Sequence, residues 1–358
     1  MTAPLRLVSA DSHVNEPPEL FAERLPASLR ERAPRVAEVD GAPALLIEGM
    51  RPRKLPSGRA ALAGEALERA QAGGWDPALR MRDQDRDGVA AEVVFPTLAL
   101  QACFASPDPV LQLALARAYN DWVAEVFAPH PTRFAAAAVV PMADVPAAIV
   151  EAERAAHLDL RALFLPIQMP ACPYNRPDYD PFWAAAEATG LPLTFHAGTG
   201  HEPRIERGPG GAVINYLLGS QADGAHLLCY LTMAGVLERF PELRVVTVET
   251  GSAWLAWIVT SMDEIYEKHQ MWAQPKLALR PSEYVRRQAH VTFQNDPVGI
   301  ANRHVTGVET LLWGSDYPHP EGTWPRSREA LERQLAGVPA DEQAAVAGGT
   351  AARVFGFP

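Results

Sequence analysis

The chain has 358 residues, 48% of them hydrophobic, and a formal net charge of −11. Such acidity argues against nucleic acid as a partner, because binding to phosphates requires a basic surface. No apolar run approaches the roughly 20 residues that cross a bilayer, and the N-terminus lacks the pattern of a signal peptide. The three scattered cysteines form no CxxC motif and suit core thiols in a reducing cytoplasm, where we expect the protein to be located.

Short apolar runs recur along the chain, and a helix-like stretch follows nearly every one. Runs that are apolar on both faces and separated by helices are typical of parallel strands. Eight such strands predict a (β/α)₈ TIM barrel, distorted by one insertion after the first strand. The runs are LRLVSADSHV near the start and then 90–96, 134–142, 161–166, 192–198, 243–251, 290–296 and 310–316.

The stretch 17–85 interrupts this alternation directly after the first strand. It is rich in Pro, Arg and Ala, and the segment LLIEGMRPRKLP within it has the pattern of a small hairpin. We interpret 17–85 as an insertion that covers the barrel mouth, and 1–358 as a single domain.

Three of the connecting segments have clear helical periodicity. They are 108–127, 144–157 and 252–269, and the second begins with an Asp cap and an early Pro. In the third segment, one face is predicted to pack into the core and carries Trp254, Trp257, Ile258 and Met262.

The carboxyl ends of the predicted strands carry most of the polar residues of interest. In a parallel barrel these ends converge on one opening, where the chemistry collects. Asp11 and His13 end the first strand, lie two residues apart and therefore share one face. His196 ends the fifth strand and Asp316 the eighth. Two imidazoles and two carboxylates, without thiolates, predict an open site for one divalent metal ion: Zn²⁺, Mn²⁺ or Fe²⁺.

Each of these residues also has a simpler explanation. Asp11, His13 and Asp316 fit turns that follow strands, and a lone histidine such as His196 is often a hydrogen-bonded core residue. Their joint occurrence at three strand ends favours the metal site. Glu249, at the end of the sixth strand, is open to three interpretations. It is a second acid or base, a hydrogen-bond partner of a ligating histidine, or a cap for the following helix.

Further candidates lie in the loops after the strands. His319 follows Asp316 by three residues and is a candidate catalytic residue, together with Asp316 and Glu249, or else a solvated loop histidine. Asn295 and Trp324 are candidates for contacts with the substrate. Cations that can pair with a substrate carboxylate, or remain solvated, follow the fifth strand at His201, Arg204 and Arg207.

These motifs resemble the amidohydrolase superfamily, and within it the branch of aminocarboxymuconate-semialdehyde decarboxylase. Matching segments cover nearly the whole chain, and the most specific are ERFPELRVVTVETG and GSDYPH. The resemblance implies a distorted (β/α)₈ barrel, a small-molecule substrate, a homodimer and one divalent metal ion. In the family the first ligand pair is His-x-His or Glu-x-His. The family's ligand positions fall here on Asp11, His13, His196 and Asp316.

One departure from the family pattern bears on the reaction. Many relatives, decarboxylases included, have a catalytic histidine where this sequence has Glu249. We therefore put first a metal-dependent hydrolase, in which metal-activated water attacks an amide, ester or lactone of a small cyclic or aromatic molecule. The alternative is non-oxidative decarboxylation of an aromatic or unsaturated carboxylic acid. A hydratase and a catalytically inactive ligand-binding barrel are weaker alternatives.

Overall fold

The structure is a computed structural model, and it describes residues 5–55, 74–169, 172–200 and 207–358. The described strands, in chain order, are β1 (Leu7–Val14), β2 (Arg35–Val39), β3 (Ala42–Leu46), β4 (Arg53–Lys54), β5 (Val89–Pro96), β6 (Phe134–Val139), β7 (Ala162–Pro166), β8 (Leu193–His196), β9 (Val245–Val248), β10 (Ala289–Phe293) and β11 (Leu311–Trp313).

Eight of these strands form one parallel sheet in the order β1, β5 and then β6 to β11. Each of the eight apolar runs coincides with one of them. The sheet curls into a nearly closed barrel, which confirms the predicted (β/α)₈ fold class. The strands read as continuous apolar runs because both of their faces are buried, one by the barrel interior and the other by helices.

The helices lie mainly between consecutive barrel strands. Asp108 and Asp144 cap two of the predicted helices by accepting backbone N–H groups of Val110 (2.9 Å) and Ala147 (3.1 Å). The described α-helices are α1 (Leu20–Arg24), α2 (Pro77–Asp87), α3 (Ala99–Ala105), α4 (Pro109–Phe127), α5 (Val145–His157), α6 (Asp180–Thr189), α7 (Gly211–Met233), α8 (Val236–Arg239), α9 (Ala253–His269), α10 (Pro281–Gln288), α11 (Pro297–Ala301), α12 (Arg303–Thr306), α13 (Ser327–Gln334), α14 (Ala340–Ala344) and α15 (Thr350–Phe355).

The insertion between β1 and β5 contains α1, α2 and a small antiparallel sheet of β2, β3 and β4. The predicted hairpin corresponds to β3 and β4. The buried carboxylate of Glu16 accepts the backbone N–H groups of Leu98 and Ala99, each at 2.8 Å, and so ties the start of the insertion to the end of β5. Residues 56–73 lie outside the described part of the chain, and the covering of the barrel mouth stays a prediction.

The barrel closes through a short seam between β1 and the residues after β11. The backbone N–H of His13 donates to the carbonyl of Tyr317 at 2.6 Å, and that of Asp316 donates to the carbonyl of Asp11 at 2.9 Å. Below these bonds, the hydroxyl of Ser9 accepts the backbone N–H of Ser315 at 2.8 Å. The closure therefore passes through the residues that carry predicted metal ligands.

One core prediction is wrong. Trp254, Ile258 and Met262 are buried on α9, but the side chain of Trp257 is 61% exposed. The buried stripe follows steps of four residues and includes Leu255 and Val259, which shifts it away from Trp257. In the described residues, no helix combines the length and hydropathy that crossing a membrane requires.

His290 gives the barrel a pH-dependent stability. It lies on β10, donates its Nδ1–H to the carbonyl of Glu309 at 2.7 Å, and burial lowers its pKa to about 4. An unfolded histidine has a pKa near 6.5, so protonation favours the unfolded chain, and this contribution to stability is lost as pH falls from about 6.5 to 4. We expect wild type to lose about 2 kcal/mol more than His290→Asn between pH 7 and 5. Urea unfolding of both proteins at the two pH values measures this difference; equal losses would contradict it.

Candidate metal centre

Four side chains from β1, β8 and the end of β11 meet at the carboxyl end of the barrel. Asp11, His13, His196 and Asp316 are each 1% exposed or less. The Nε2 atom of His13 lies 3.6 Å from Asp11 Oδ1 and 3.5 Å from Asp316 Oδ1, and His196 Nε2 lies 3.8 Å from Asp11 Oδ1. The structure thus brings together all four residues that the sequence placed at strand ends.

The two imidazoles are oriented by the backbone. His13 Nδ1 lies 2.9 Å from the carbonyl of Pro96, and His196 Nδ1 lies 2.8 Å from the carbonyl of Ala197. A carbonyl only accepts, so both Nδ1 atoms carry the proton and both Nε2 atoms present lone pairs when the rings are neutral. These Nε2 atoms are only 3.1 Å apart. Two facing lone pairs repel each other unless a cation lies between them.

Asp11 supplies the matching negative charge. Its Oδ1 atom is buried without a hydrogen-bond partner among the described residues, although a buried carboxylate oxygen normally has one. Burial, with the charges of Asp316 and Glu249, raises its pKa well above the usual range, so these surroundings disfavour the ionised carboxylate unless a cation is bound beside it. Donor atoms of Asp11, His13 and His196 lie within 4.8 Å of one another. The orphaned oxygen and the paired lone pairs fit a divalent cation.

Asp316 is held in place by its own backbone and by two neighbours. Its φ of 57° lies in the left-handed region, which Asp tolerates better than most residues. The side chain of Gln294 donates to Oδ2 at 2.9 Å, and His319 Nδ1 lies 2.8 Å from Oδ1. The segment before Asp316 passes close to Asp11, and this requires glycine at position 314, because a Cβ atom there would lie 2.5 Å from the Cβ of Asp11.

Gln294→Met is expected to lower turnover about 10- to 100-fold, because the change removes the amide that fixes one oxygen of Asp316. The amide of Gln334 provides a matched control, since it bonds only backbone groups in the bonds described: it donates to the carbonyl of Gln294 at 2.9 Å and accepts the N–H of Asp296 at 2.8 Å. We expect Gln334→Met to lower stability with a smaller effect on turnover. Steady-state kinetics of both variants decide the point, and equal losses would contradict the role of Gln294.

Glu249 lies beside the cluster with the same kind of backbone. Its φ is 58°, its Oε2 is 3.4 Å from His196 Nε2, and its Oε1 accepts the hydroxyl of Tyr216 at 2.8 Å. The capping interpretation is wrong, because Asp296 takes that role. Its Oδ2 accepts the backbone N–H groups of Ser252 and Ala253, each at 2.7 Å. The αL backbone of Glu249 accompanies a side chain that lies against His196 and does not cap the helix.

Burial and like charges shape the electrostatics of the centre. Burial and the neighbouring His319 and His196 lower the pKa of His13 well below its usual range, so its ring is neutral. Burial raises the pKa of Glu249, and the charge of Asp316 adds to this effect. For His319, burial acts to lower the pKa, but the hydrogen bond and charge of Asp316 outweigh it and raise the pKa overall. Its ring stacks on that of His13 at 4.2 Å.

The structure does not place the remaining candidates among the clustered side chains. His201 and Arg204 fall outside the described residues, and Arg207 is exposed. Asn295 is also exposed, whereas its neighbour Gln294 reaches the centre. Trp324 packs on Tyr317 at 5.9 Å between ring centroids and lies against α2, with its indole N–H 3.4 Å from the carbonyl of Asp83. Its aromatic face therefore serves packing against the insertion.

Sequence reasoning assigned no role to three polar residues of the centre. Gln294 donates to Asp316, and Tyr216 donates to Glu249. The hydroxyl of Thr292 lies 3.4 Å from Asp11 Oδ2. Thr292 and Gln294 are two residues apart at the end of β10, so strand alternation was the available signal for both. Tyr216 lies on α7, far from any strand end, and only the folded chain reveals it.

Comparison with known proteins identifies the family. The family model described as amidohydrolase matches residues 10–357. The chain belongs to the amidohydrolase family. A curated relative of this amidohydrolase, 2-amino-3-carboxymuconate-6-semialdehyde decarboxylase of Dictyostelium discoideum, is 24% identical over 259 residues, which cover 69% of this chain and 68% of the relative. The predicted resemblance is thereby confirmed.

Solved structures share the fold along the whole amidohydrolase chain. An amidohydrolase from Mycobacterium avium subsp. paratuberculosis has a TM-score of 0.83 at 19% identity and covers 99% of this chain and 100% of its own. A 5-carboxyvanillate decarboxylase from Sphingomonas paucimobilis has a TM-score of 0.70 at 25% identity, with the same coverage. A dihydroxybenzoic acid decarboxylase from Polaromonas, solved with bound manganese and 2-nitroresorcinol, has a TM-score of 0.66 at 17% identity and covers 98% of this chain and 97% of its own.

Proposed function

We propose that this amidohydrolase-family enzyme catalyses metal-dependent, non-oxidative decarboxylation of an aromatic or unsaturated carboxylic acid. The observation that carries the proposal is the His319–Asp316 pair, which lies directly on the cluster of candidate cation ligands. A cation site that can hold an acid, next to a proton carrier, is what replacement of CO₂ by a proton requires. Relatives that align with most of the chain are named decarboxylases, which supports the same reaction.

The cluster would hold the metal ion through Asp11, His13, His196 and Asp316. When bound, the ion supplies positive charge that binds the substrate's carboxylate or a neighbouring oxygen and stabilises negative charge that develops as the bond to CO₂ breaks. The mixed nitrogen and oxygen donors suit Mn²⁺, Zn²⁺ or Fe²⁺. We place Mn²⁺ first, because a decarboxylase of the same fold binds manganese.

The protein's own residues handle the proton. His319 donates its Nδ1–H to Oδ1 of Asp316, and the side chain of Gln294 donates to the second oxygen of that carboxylate. In the reaction R–COO⁻ + H⁺ → R–H + CO₂, the electron pair of the broken C–C bond takes up the proton that His319 delivers. Glu249, held by Tyr216 and 3.4 Å from His196 Nε2, is the candidate to accept a hydrogen bond from the substrate. The cations His201, Arg204 and Arg207 remain candidates for binding a second acidic group.

Hydrolysis, which the sequence put first, becomes the second candidate. The named relatives favour decarboxylation, while one specific observation still supports hydrolysis. Glu249 places a carboxylate 3.4 Å from His196 Nε2, beside the cation site, where it can accept a proton from an attacking water. A barrel that only binds its ligand is a third outcome, and the homodimer remains a prediction.

Isotope labelling separates these outcomes. Protein reconstituted with Mn²⁺ or Zn²⁺ is incubated in D₂O with a panel of hydroxybenzoic and unsaturated carboxylic acids, and with aryl esters and lactones. Decarboxylation predicts CO₂ release and one deuterium at the carbon that lost it. Ring opening or ester cleavage without CO₂ would establish the hydrolase. If metal-loaded protein binds members of the panel without turnover, the protein is a barrel that only binds its ligand. The Asp316→Asn protein serves as the background in each assay.

A further inference from the structure

A fully buried arginine lies beneath the metal centre. Arg80, on α2, is 0% exposed, and all three of its guanidinium nitrogens are within hydrogen-bond distance of a partner. Its Nη1 donates to the carbonyl of His13 at 2.6 Å and to that of Gly74 at 2.9 Å. Its Nε and Nη2 donate to Glu92 Oε1 at 2.9 and 2.5 Å, and Nη2 also lies 3.4 Å from the hydroxyl of Ser12. Arg80 thus binds the carboxyl end of β1 through hydrogen bonds.

The same guanidinium also contacts the other side of the barrel seam. It stacks under the ring of Tyr317 at 4.9 Å from the centroid. Tyr317 in turn accepts the backbone N–H of His13 at 2.6 Å and donates its hydroxyl to Asp83 at 2.7 Å. Asp316 directly precedes this tyrosine. One planar cation therefore touches the backbone of a ligand on β1 and the neighbour of a ligand after β11.

Stability alone does not account for this arrangement. Glu92 is 1% exposed and balances the charge of Arg80, but desolvation of a buried ion pair often cancels its attraction. Replacement of a buried ion pair by apolar residues of similar volume is often neutral or stabilising. The rigid fork of Arg80, by contrast, fixes directions and distances that a hydrophobic core does not specify.

We propose that Arg80 is a positioning residue for the metal centre, setting the spacing between His13 and Asp316 through the barrel seam. The inference rests on the metal cluster of the proposed function, but it does not depend on which reaction the cluster catalyses. Its test therefore uses metal binding, which distinguishes its failure from failure of the decarboxylase proposal.

The deciding variant is the double substitution Arg80→Met with Glu92→Met, which removes the pair without leaving an unpaired buried charge. We expect a folded protein with stability close to wild type but Mn²⁺ affinity lowered about 10- to 100-fold, as is typical when support of a ligand is removed. The absorption spectrum of the Co²⁺-loaded variant should shift as the ligand geometry changes. Chelator competition measures the affinity. Arg80→Lys, which keeps the charge but loses the planar guanidinium, should also have a lowered Mn²⁺ affinity.

A second buried carboxylate–arginine group provides the control. Glu151 on α5 is 0% exposed, accepts from the partly exposed Arg154 of the same helix at 2.7 Å and from Asn120 on α4 at 2.7 Å, and lies away from the cluster. Glu151→Met with Arg154→Met should change stability while Mn²⁺ affinity and the Co²⁺ spectrum stay as in wild type. Wild-type affinity and spectrum in the Arg80 double variant would overturn the proposal. So would failure of both the double variant and Arg80→Lys to fold, because the role of Arg80 would then be structural.

Discussion

Asparagine in place of Asp316 should lower kcat by about a thousandfold while the fold survives, since this carboxylate both faces the cation site and holds His319. The substitution removes one negative charge and one acceptor without changing side-chain volume. Asn also tolerates the left-handed backbone that Asp316 adopts, so the loss will not arise from backbone strain. Turnover and bound metal per chain are the quantities to measure, with circular dichroism as the check on folding.

Asp159 offers a closely matched control for this experiment. It has the same left-handed backbone, with φ of 57°, but it is exposed at the end of α5. Asp159→Asn makes the same chemical change in the same backbone conformation, and we expect wild-type turnover and metal content. Full activity in Asp316→Asn would remove Asp316 from the mechanism. Loss of activity in both variants would show that the change acts through the backbone.

Replacement of His196 by Ala should abolish most of the stabilisation that metal gives the fold. The Nε2 lone pairs of His13 and His196 face each other at 3.1 Å, an arrangement that a bound cation would stabilise. A ligand present at 100 times its Kd stabilises a protein by about 2.7 kcal/mol. Without His196 the affinity falls, and the difference in Tm between metal-loaded and chelator-treated protein should shrink toward zero.

His290→Asn is the companion variant for that measurement. His290 is a buried histidine on β10 whose ring bonds a backbone carbonyl and takes no part in the cluster. We expect this variant to keep the full metal-dependent rise in Tm, whatever its effect on the Tm itself. An undiminished rise in His196→Ala would contradict ligation by His196, and a lost rise in His290→Asn would show that the effect is not local.

These effects reach the whole barrel because the centre coincides with its closure. The backbone bonds between Asp11 and Asp316 and between His13 and Tyr317 join the first and last strands. A cation that binds Asp11, His13 and Asp316 ties the same strands through their side chains. We therefore expect metal binding and barrel closure to stabilise each other, which would make metal-dependent stability a sensitive readout of ligand geometry.

Much of the fold and of the centre could be predicted from the sequence, because they depend on local regularities. Apolar runs with helical segments between them specify parallel strands, and parallel strands place their carboxyl ends at one opening. Alternation along β1 puts Asp11 and His13 on one face, whatever the rest of the chain does. The convergence of His196 and Asp316 with this pair follows from that topology alone.

The tertiary structure decided what depends on contacts between distant segments. Hydrogen bonds to backbone carbonyls leave the Nε2 atoms of His13 and His196 free to face the cluster. Glu249, in a left-handed backbone conformation, lies against His196, and Asp296 caps α9 in its place. The register of β10 selected Gln294 over Asn295 as the partner of Asp316. Arg80 reads in sequence as an ordinary charged residue of a helix. Arg80 becomes buried only when α2 packs against β1 and the residues after β11, the first and last strands of the barrel. No local sequence pattern encodes that contact.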